Sequence, residues 1–143
     1  EIDFALIKIG DGAGPEVFTL ACGLQNVNIN AVANTRDRPV RDCAKPGETP
    51  FRKVKATSKQ LDVTGDGLID KAQIDIYLNA LAKTKNYKIE GYADDGTDAG
   101  ELLGTYAGAF MLTASNQSIS RDADSTAEIT LASDGAWTWT PAP

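Results

Sequence analysis

The chain has 143 residues, 42% of them hydrophobic and 24% charged, with a formal net charge of −6 and no histidine. That length buries a sizeable core without staples, and the composition is that of a folded chain, not a disordered one. Without histidine there is no imidazole acid/base chemistry and no His-ligated metal site.

Cys22 and Cys43 are too few and too far apart for a disulfide scaffold or a zinc motif; one bridge between them is the alternative to the preferred reading of two unpaired thiols, with Cys22 a small core residue. The longest apolar run, Tyr106 to Leu112, is far short of a membrane span, so no anchor is expected. Phe4 to Ile9 (FALIKI) and Glu16 to Leu20 (EVFTL) read as two strands joined by a Gly/Pro turn. From Leu24 to Val32, Val27, Ile29 and Ala31 alternate with Asn26, Asn28 and Asn30 at the two-residue period of a strand. One face is then core and the other a wet, uncharged ladder of amides.

Asn34 to Phe51 has no periodicity and holds three prolines, which predicts an extended loop over 34–51. Its charge departs from that of its surroundings. Between Arg36 and Lys55 there are seven basic residues (Arg36, Arg38, Arg41, Lys45, Arg52, Lys53, Lys55) and three acidic ones. The net of +4 leaves −10 on the rest of the chain. A basic arm on an acidic body suits docking onto copies of itself. Nucleic acid is the poorer partner, because Phe51 is the one aromatic available for stacking and the body repels phosphate.

Lys53 to Val63 reads as a strand leading into TGDGLID, Thr64 to Asp70. Two readings compete here. Asp62, Thr64, Asp66, Gly67, Ile69 and Asp70 follow the spacing of an EF-hand calcium loop, but the twelfth position is Gln73 and no amphipathic helix enters it. Without metal, the same letters give a strand, a glycine turn and a helix over 70–83. Asp70 is its N-cap, Gln73 completes a capping box, and Ile69 with Ile74 forms a hydrophobic staple. Ile74, Tyr77, Leu78 and Leu81 make its apolar stripe. Gln73 is natural as a cap and awkward as a ligand, so the helix reading is preferred and no metal is expected.

Asn86 to Ala93 alternates as a strand, and Glu101 to Ile119, rich in small residues, fits a bent or bulged one. Thr126 to Ala132 and Ala136 to Thr140 flank Ser133-Asp134-Gly135, which predicts a C-terminal hairpin over 126–140 with Trp137 and Trp139 facing Ala127, Ile129 and Leu131. The whole is one domain over 1–143, mainly β, of seven or eight strands and one helix. No nucleophile elbow, P-loop or Rossmann fingerprint is present, and Asp94, Asp95, Asp98, Glu101, Asp122, Asp124, Glu128 and Asp134 read as a solvated acidic face. No enzyme activity and no cofactor are expected.

The order of these parts resembles the major tail tube proteins of siphovirus-type phages and gene transfer agents. The resemblance rests on the N-terminal strand pair, the long charged loop, the TGDGLID turn before one helix, and the closing AEITLASDGAWTW, Ala127 to Trp139. The aspartates of the turn stand where that family commonly has serines. The resemblance implies a β-sandwich or barrel-like protomer, a fold shared with the type VI secretion tube protein. It implies a virion structural protein of the tail, assembled in the bacterial host cytoplasm as stacked hexameric rings that pass DNA without binding it specifically. A tape measure protein and a tail terminator would be partners. Arg36, Arg38, Arg41 and Lys45 would make inter-ring contacts, and Asn26, Asn28 and Asn30 would face the lumen. The reading from a different class is an extracellular calcium-binding β module, dockerin- or adhesin-like, using Asp62 to Asp70.

Overall fold

In the computed structural model, which describes residues 1–21 and 23–143, one antiparallel sheet wraps around a single apolar core. Its strands are β1 (Phe4–Gly10), β2 (Phe18–Leu20), β3 (Leu24–Val40), β4 (Phe51–Leu68), β5 (Thr84–Ala93), β6 (Glu101–Ser118) and β7 (Thr126–Pro141). The one helix among the described residues, α1 (Lys71–Ala80), lies between β4 and β5 in the chain. Spatial order is β2-β1-β5-β6-β7-β4-β3. Cys22 lies outside the described residues; Cys43 is an exposed free thiol.

The sheet is bent into two layers by its two long strands. The second half of β6 and the first half of β7 pair with each other, and β7 continues the sheet to β4 and β3. The first half of β6 and the last residues of β7 belong with β5, β1 and β2. Register shifts in β6 between Gly108 and Phe110 and between Leu112 and Ala114 make the corner, as bulges do where strands change sheets. Between the layers lie Ile7, Leu61, Val63, Ile89, Leu112, Ile129 and Leu131, each at most 1% exposed, with Tyr87 edge-on to Phe110 at 6.0 Å between centroids.

Several elements differ from their sequence expectations. Positions 34–51 are not a loop throughout: β3 runs to Val40 and β4 begins at Phe51, so most of the expected loop is a two-stranded arm with a turn over 41–50. Apolar periodicity is absent because both faces of the arm are in water, and Pro39 is tolerated because β3 is an edge strand. TGDG is no turn either. Gly65 and Gly67 lie inside β4, where a Cβ on Gly67 would stand 1.9 Å from the carbonyl oxygen of Gly23, and one on Gly65 would meet Leu24 and Ile7. At Gly67 glycine is required by that close approach to backbone, and the chain turns only at Ile69 and Asp70.

The C-terminal hairpin is a single strand. Phe110 pairs with Ser133 and Gly108 with Trp137, so Asp134 to Ala136 oppose Ala109 alone. Gly135 has φ +96°, and Asp-Gly serves as a bulge. Trp137 and Trp139 therefore sit with Tyr106, at 6.3 and 4.7 Å between centroids, with Trp139 lying over Gly104. They do not face Ala127, Ile129 and Leu131. Where β4 leaves β7, the Leu61 N–H donates to Ser133 Oγ at 3.0 Å, replacing the lost ladder.

The helix ends at Ala80, short of Lys83, and its buried face is Gln73, Tyr77 and Ala80. Leu78 and Leu81, placed in the apolar stripe from the sequence, are exposed. Ala82, with φ 63°, turns the chain toward β5 and donates its N–H to the Leu112 carbonyl at 2.9 Å.

Candidate functional site: a polar sheet face and a cationic arm

Residues directly opposed in an antiparallel ladder point to the same side of the sheet. The register places Asn26, Asp66, Glu128 and Asn116 in one row across β3, β4, β7 and β6. Asn28, Thr64, Thr130 and Ala114 form the next, and Asn30, Asp62, Ala132 and Met111 the third. These rows hold amides, hydroxyls and three carboxylates, with no lysine or arginine. Asn26, Asn28 and Asn30 are exposed. The opposite side carries Val27, Ile29 and Ala31, of which Ile29 is 37% exposed and Ala31 is exposed, so β3 is only partly covered on its core side.

Farther along the arm the rungs change character. Asn34 donates from Nδ2 to Ser58 Oγ and Gln60 Oε1, at 2.8 and 2.9 Å. A register shift follows between Asn34 and Thr35. Beyond it Arg36 faces Lys55, Arg38 faces Lys53, and Val40 faces Phe51. One face of the arm thus carries two cation–cation rungs ending in an apolar one, with Phe51 74% exposed. Like charges in direct opposition destabilise a ribbon. The acid that relieves the arm, Asp37, is on the other face, 3.7 Å from Arg52. Arg41 is held within the tip, its guanidinium donating to the Pro46 carbonyl, and Lys45 belongs to the same turn, its N–H donating to the Asp42 carbonyl. Lys53 and Lys55 complete the surface begun by Arg36 and Arg38. The sequence signal for them is their alternation with Val54, which becomes a shared face once the register is known.

The acidic residues do not converge. Asp62 and Asp66 lie four residues apart along β4, about 13 Å at strand rise, too far to share one ion. Asp70 is the N-cap, its Oδ1 accepting the Gln73 N–H at 3.0 Å. The Gln73 side chain does not return the bond: its Oε1 is buried without a partner. No group of three or more metal-ligating side chains is assembled among the described residues. Asp94 and Asp95 accept turn N–H groups from Gly96 and Thr97, and the Thr97 bonds hold the Asp95 carboxyl below its ordinary range.

On the second layer Lys8 Nζ stands 2.8 Å from Glu90 Oε1, and the Tyr92 hydroxyl donates to the same carboxylate. Burial pushes Glu90 up, but the bonds from Lys8 and Tyr92 outweigh it and leave the carboxyl below its usual range. Tyr92 is raised to about 12, first by its bond to Glu90 and then by burial. All three groups are satisfied among themselves, which makes this a strut between β1 and β5.

A family described as "Phage tail tube protein" matches residues 4–139. Comparison with curated sequences finds no match. Among solved structures, the fold is similar to the tail of an empty gene transfer agent particle with C6 symmetry (TM-score 0.64, 21% identity, 94% of each chain). It is also similar to the sheath-tube complex of the extracellular contractile injection system PVC in its extended state (0.65, 16%, 99% of this chain and 93% of that one). A third similar structure is the SPP1 tail tube (0.60, 12%, 96% and 77%).

Proposed function

Because the chain belongs to the phage tail tube protein family, we propose that its copies close into hexameric rings and that rings stack into the tube through which DNA leaves the particle. The observation that carries this reading is the pair of free edges on the polar layer. Among the described residues the outer edge of β3 is unpaired, and so is β6 beyond Leu112, from Thr113 to Ser118. β3 and β6 run in opposite directions, so β3 of one copy added to β6 of the next continues the antiparallel alternation. Six such junctions remove every exposed edge of this layer, which otherwise invites uncontrolled strand pairing. Six-fold symmetry is that of the gene transfer agent tail.

In such a ring the amide and carboxylate rows face the lumen. Without a cation in those rows, phosphate finds no partner and DNA slides. The arm, with Arg36 and Arg38 on its rungs and Arg41 and Lys45 at its tip, reaches an acidic surface of the next ring, a heterologous contact that repeats without closing. A tape measure protein in the lumen and a terminator at the tube's end complete the particle, built in the bacterial cytoplasm. The role is structural, with no catalysis and no cofactor.

Negative-stain microscopy of the purified protein tests this reading. Six-fold rings or tubes are expected. A monomer that forms neither, and whose melting temperature rises with calcium, would favour the calcium-binding module instead.

A further inference from the structure

The cationic arm and the loop that joins β6 to β7, residues 119–125, lie at opposite ends of one layer. Leu24 pairs with Gly67, Leu68 with Thr126, and Thr126 with Ser118, so the loop closes the end of the layer from which β3 starts. Val40 and Phe51 stand at the other end. Arg38 is 14 positions beyond Leu24 along β3, about 45 Å at strand rise. A continuous ladder holds the two ends apart, so arm and loop cannot meet within one copy.

Their chemistry is complementary. The arm face carries Arg36, Arg38, Lys53 and Lys55, none in an ion pair among the described residues, and ends at Phe51, 74% exposed. The loop carries Asp122 and Asp124, both exposed, spaced by two positions as the two cationic rungs are. Their carboxylates make neither a hydrogen bond nor an ion pair among the described residues. Arg121 leaves the loop a net charge of −1. Ile119, at its start, is 79% exposed, and Ile119 and Phe51 are the two most exposed large hydrophobic side chains among the described residues. An apolar group beside charges of one sign thus has a counterpart, beside charges of the other sign, at the far end of the layer. The other acidic loop, residues 94–100, fits less well. It joins β5 to β6 in the second layer, holds no large apolar side chain, and has Asp94 and Asp95 committed to N–H groups of their own turn.

We infer that the loop over 119–125 is the arm's receptor in the next ring: Asp122 and Asp124 lie against the two cationic rungs, and Ile119 against Phe51. This rests on the stacked rings proposed above and names the surface that the arm reaches there. A contact between one end of a layer and the opposite end of another copy's is heterologous, so it repeats in one direction without closing. It also makes the tube polar, with cations offered at one end and carboxylates at the other.

The test exchanges charge across this contact, with R38E/K53E on the arm, D122K/D124K on the loop, and all four substitutions together. All four positions are exposed, so circular-dichroism melts of disassembled protein should stay within a few degrees of wild type. Each double variant should still form six-fold rings but raise the critical concentration for tubes roughly tenfold or more, because an ion pair that is weak alone acts six times at every stacking step. The four-fold exchange should return to within a few-fold of wild type. D98K/E101K, the same change of charge beside the other acidic loop, should leave the critical concentration within a few-fold of wild type. Ile119→Ser and Phe51→Ser together should raise it no more than the larger single effect, since each removes the other's partner. Normal tube growth by D122K/D124K, or a block by D98K/E101K in its place, would overturn the loop as receptor while leaving the rings intact. Failure of the four-fold exchange to recover would overturn the pairing of these charges, and additive serine effects would overturn the contact of Ile119 with Phe51. Failure of the wild-type protein to form rings or tubes would overturn the ring reading itself.

Discussion

Replacing Lys53 and Lys55 with glutamate separates what the arm does within a protomer from what it does between protomers. Each replacement changes the charge by two units, so K53E/K55E takes the chain from −6 to −10. Within the arm, the rungs Arg36–Lys55 and Arg38–Lys53 turn from repulsive to attractive. A direct cross-strand pair counts for about 0.2–1 kcal/mol in either sense, and exposed pairs fall in the lower part of that range. The two rungs together should stabilise the protomer by about 1 kcal/mol. In the proposed tube the effect between copies has the opposite sign, because a face with four positive charges and no acid becomes neutral. Wild-type polymerisation should weaken between about 0.05 and 0.5 M salt as the Debye length shrinks, and that of the variant should change little. Pelleting and negative-stain counts at several protein and salt concentrations measure the second effect; urea melts of disassembled protein measure the first. Tubes formed by the variant at wild-type concentration with unchanged salt response would refute the arm as an electrostatic connector. A protomer destabilised by more than about 1 kcal/mol would refute the opposition of these four side chains.

Three further outcomes follow from groups described above. The Tyr87 hydroxyl is buried with no hydrogen-bond partner, and burial pushes its pKa up to about 12 from 10.0. Unfolded chains lose that proton above pH 10 while folded ones hold it, so stability should fall between pH 10 and 12, by up to about 3 kcal/mol from this group. Tyr87→Phe should remove that fall and stabilise the protein by about 1 kcal/mol at pH 7, read from urea melts at both pH values. Asp70→Ala should cost about 1 kcal/mol through loss of the Gln73 N–H bond, and Asp70→Ser should recover most of it in the same melts. Glu90, held below its ordinary value of 4.5, contributes stability that is present above that value and lost as pH falls through its lowered folded pKa. Glu90→Gln should flatten this part of an acid titration followed by circular dichroism.

The elements whose apolar residues alternate against polar ones were legible directly. Ile7 and Ile9, Tyr87 and Ile89, and Ile129 and Leu131 mark strands by period alone, and each is buried. The amide ladder was legible for the same reason. What the period could not show was which strand each residue faces. Asp-Gly at 134–135 suits a hairpin or a bulge equally, and Phe110 and Gly108 on β6 decide between them. Gly65 and Gly67 look like a turn until Gly23 and Leu24 are seen pressed against them. The arm was hidden because a ribbon with water on both sides has no apolar side to alternate, so its charges gave the one usable sign. The i, i+3, i+4 spacing fits two adjoining flanks of one helix and points Leu78 inward, whereas Tyr77 selects the other flank.

The two-stranded arm has a consequence for the timing of assembly. Beyond Leu61, β4 pairs with β3 alone, and no hydrophobic side holds the ribbon to the body. A lone hairpin of this kind is marginal in water, and its stability is independent of the core's. Its ends should fray in the isolated protomer, above all at the two repulsive rungs, and in the proposed tube should become ordered only when carboxylates of another copy lie alongside. Ordering then costs conformational entropy at the moment of docking, which weakens the first encounter between two free copies. An already ordered end, offering several docking sites at once, offsets that cost. Growth from an existing tip is then favoured over spontaneous nucleation, and a pool of free protomers can accumulate until a template for the tube is ready.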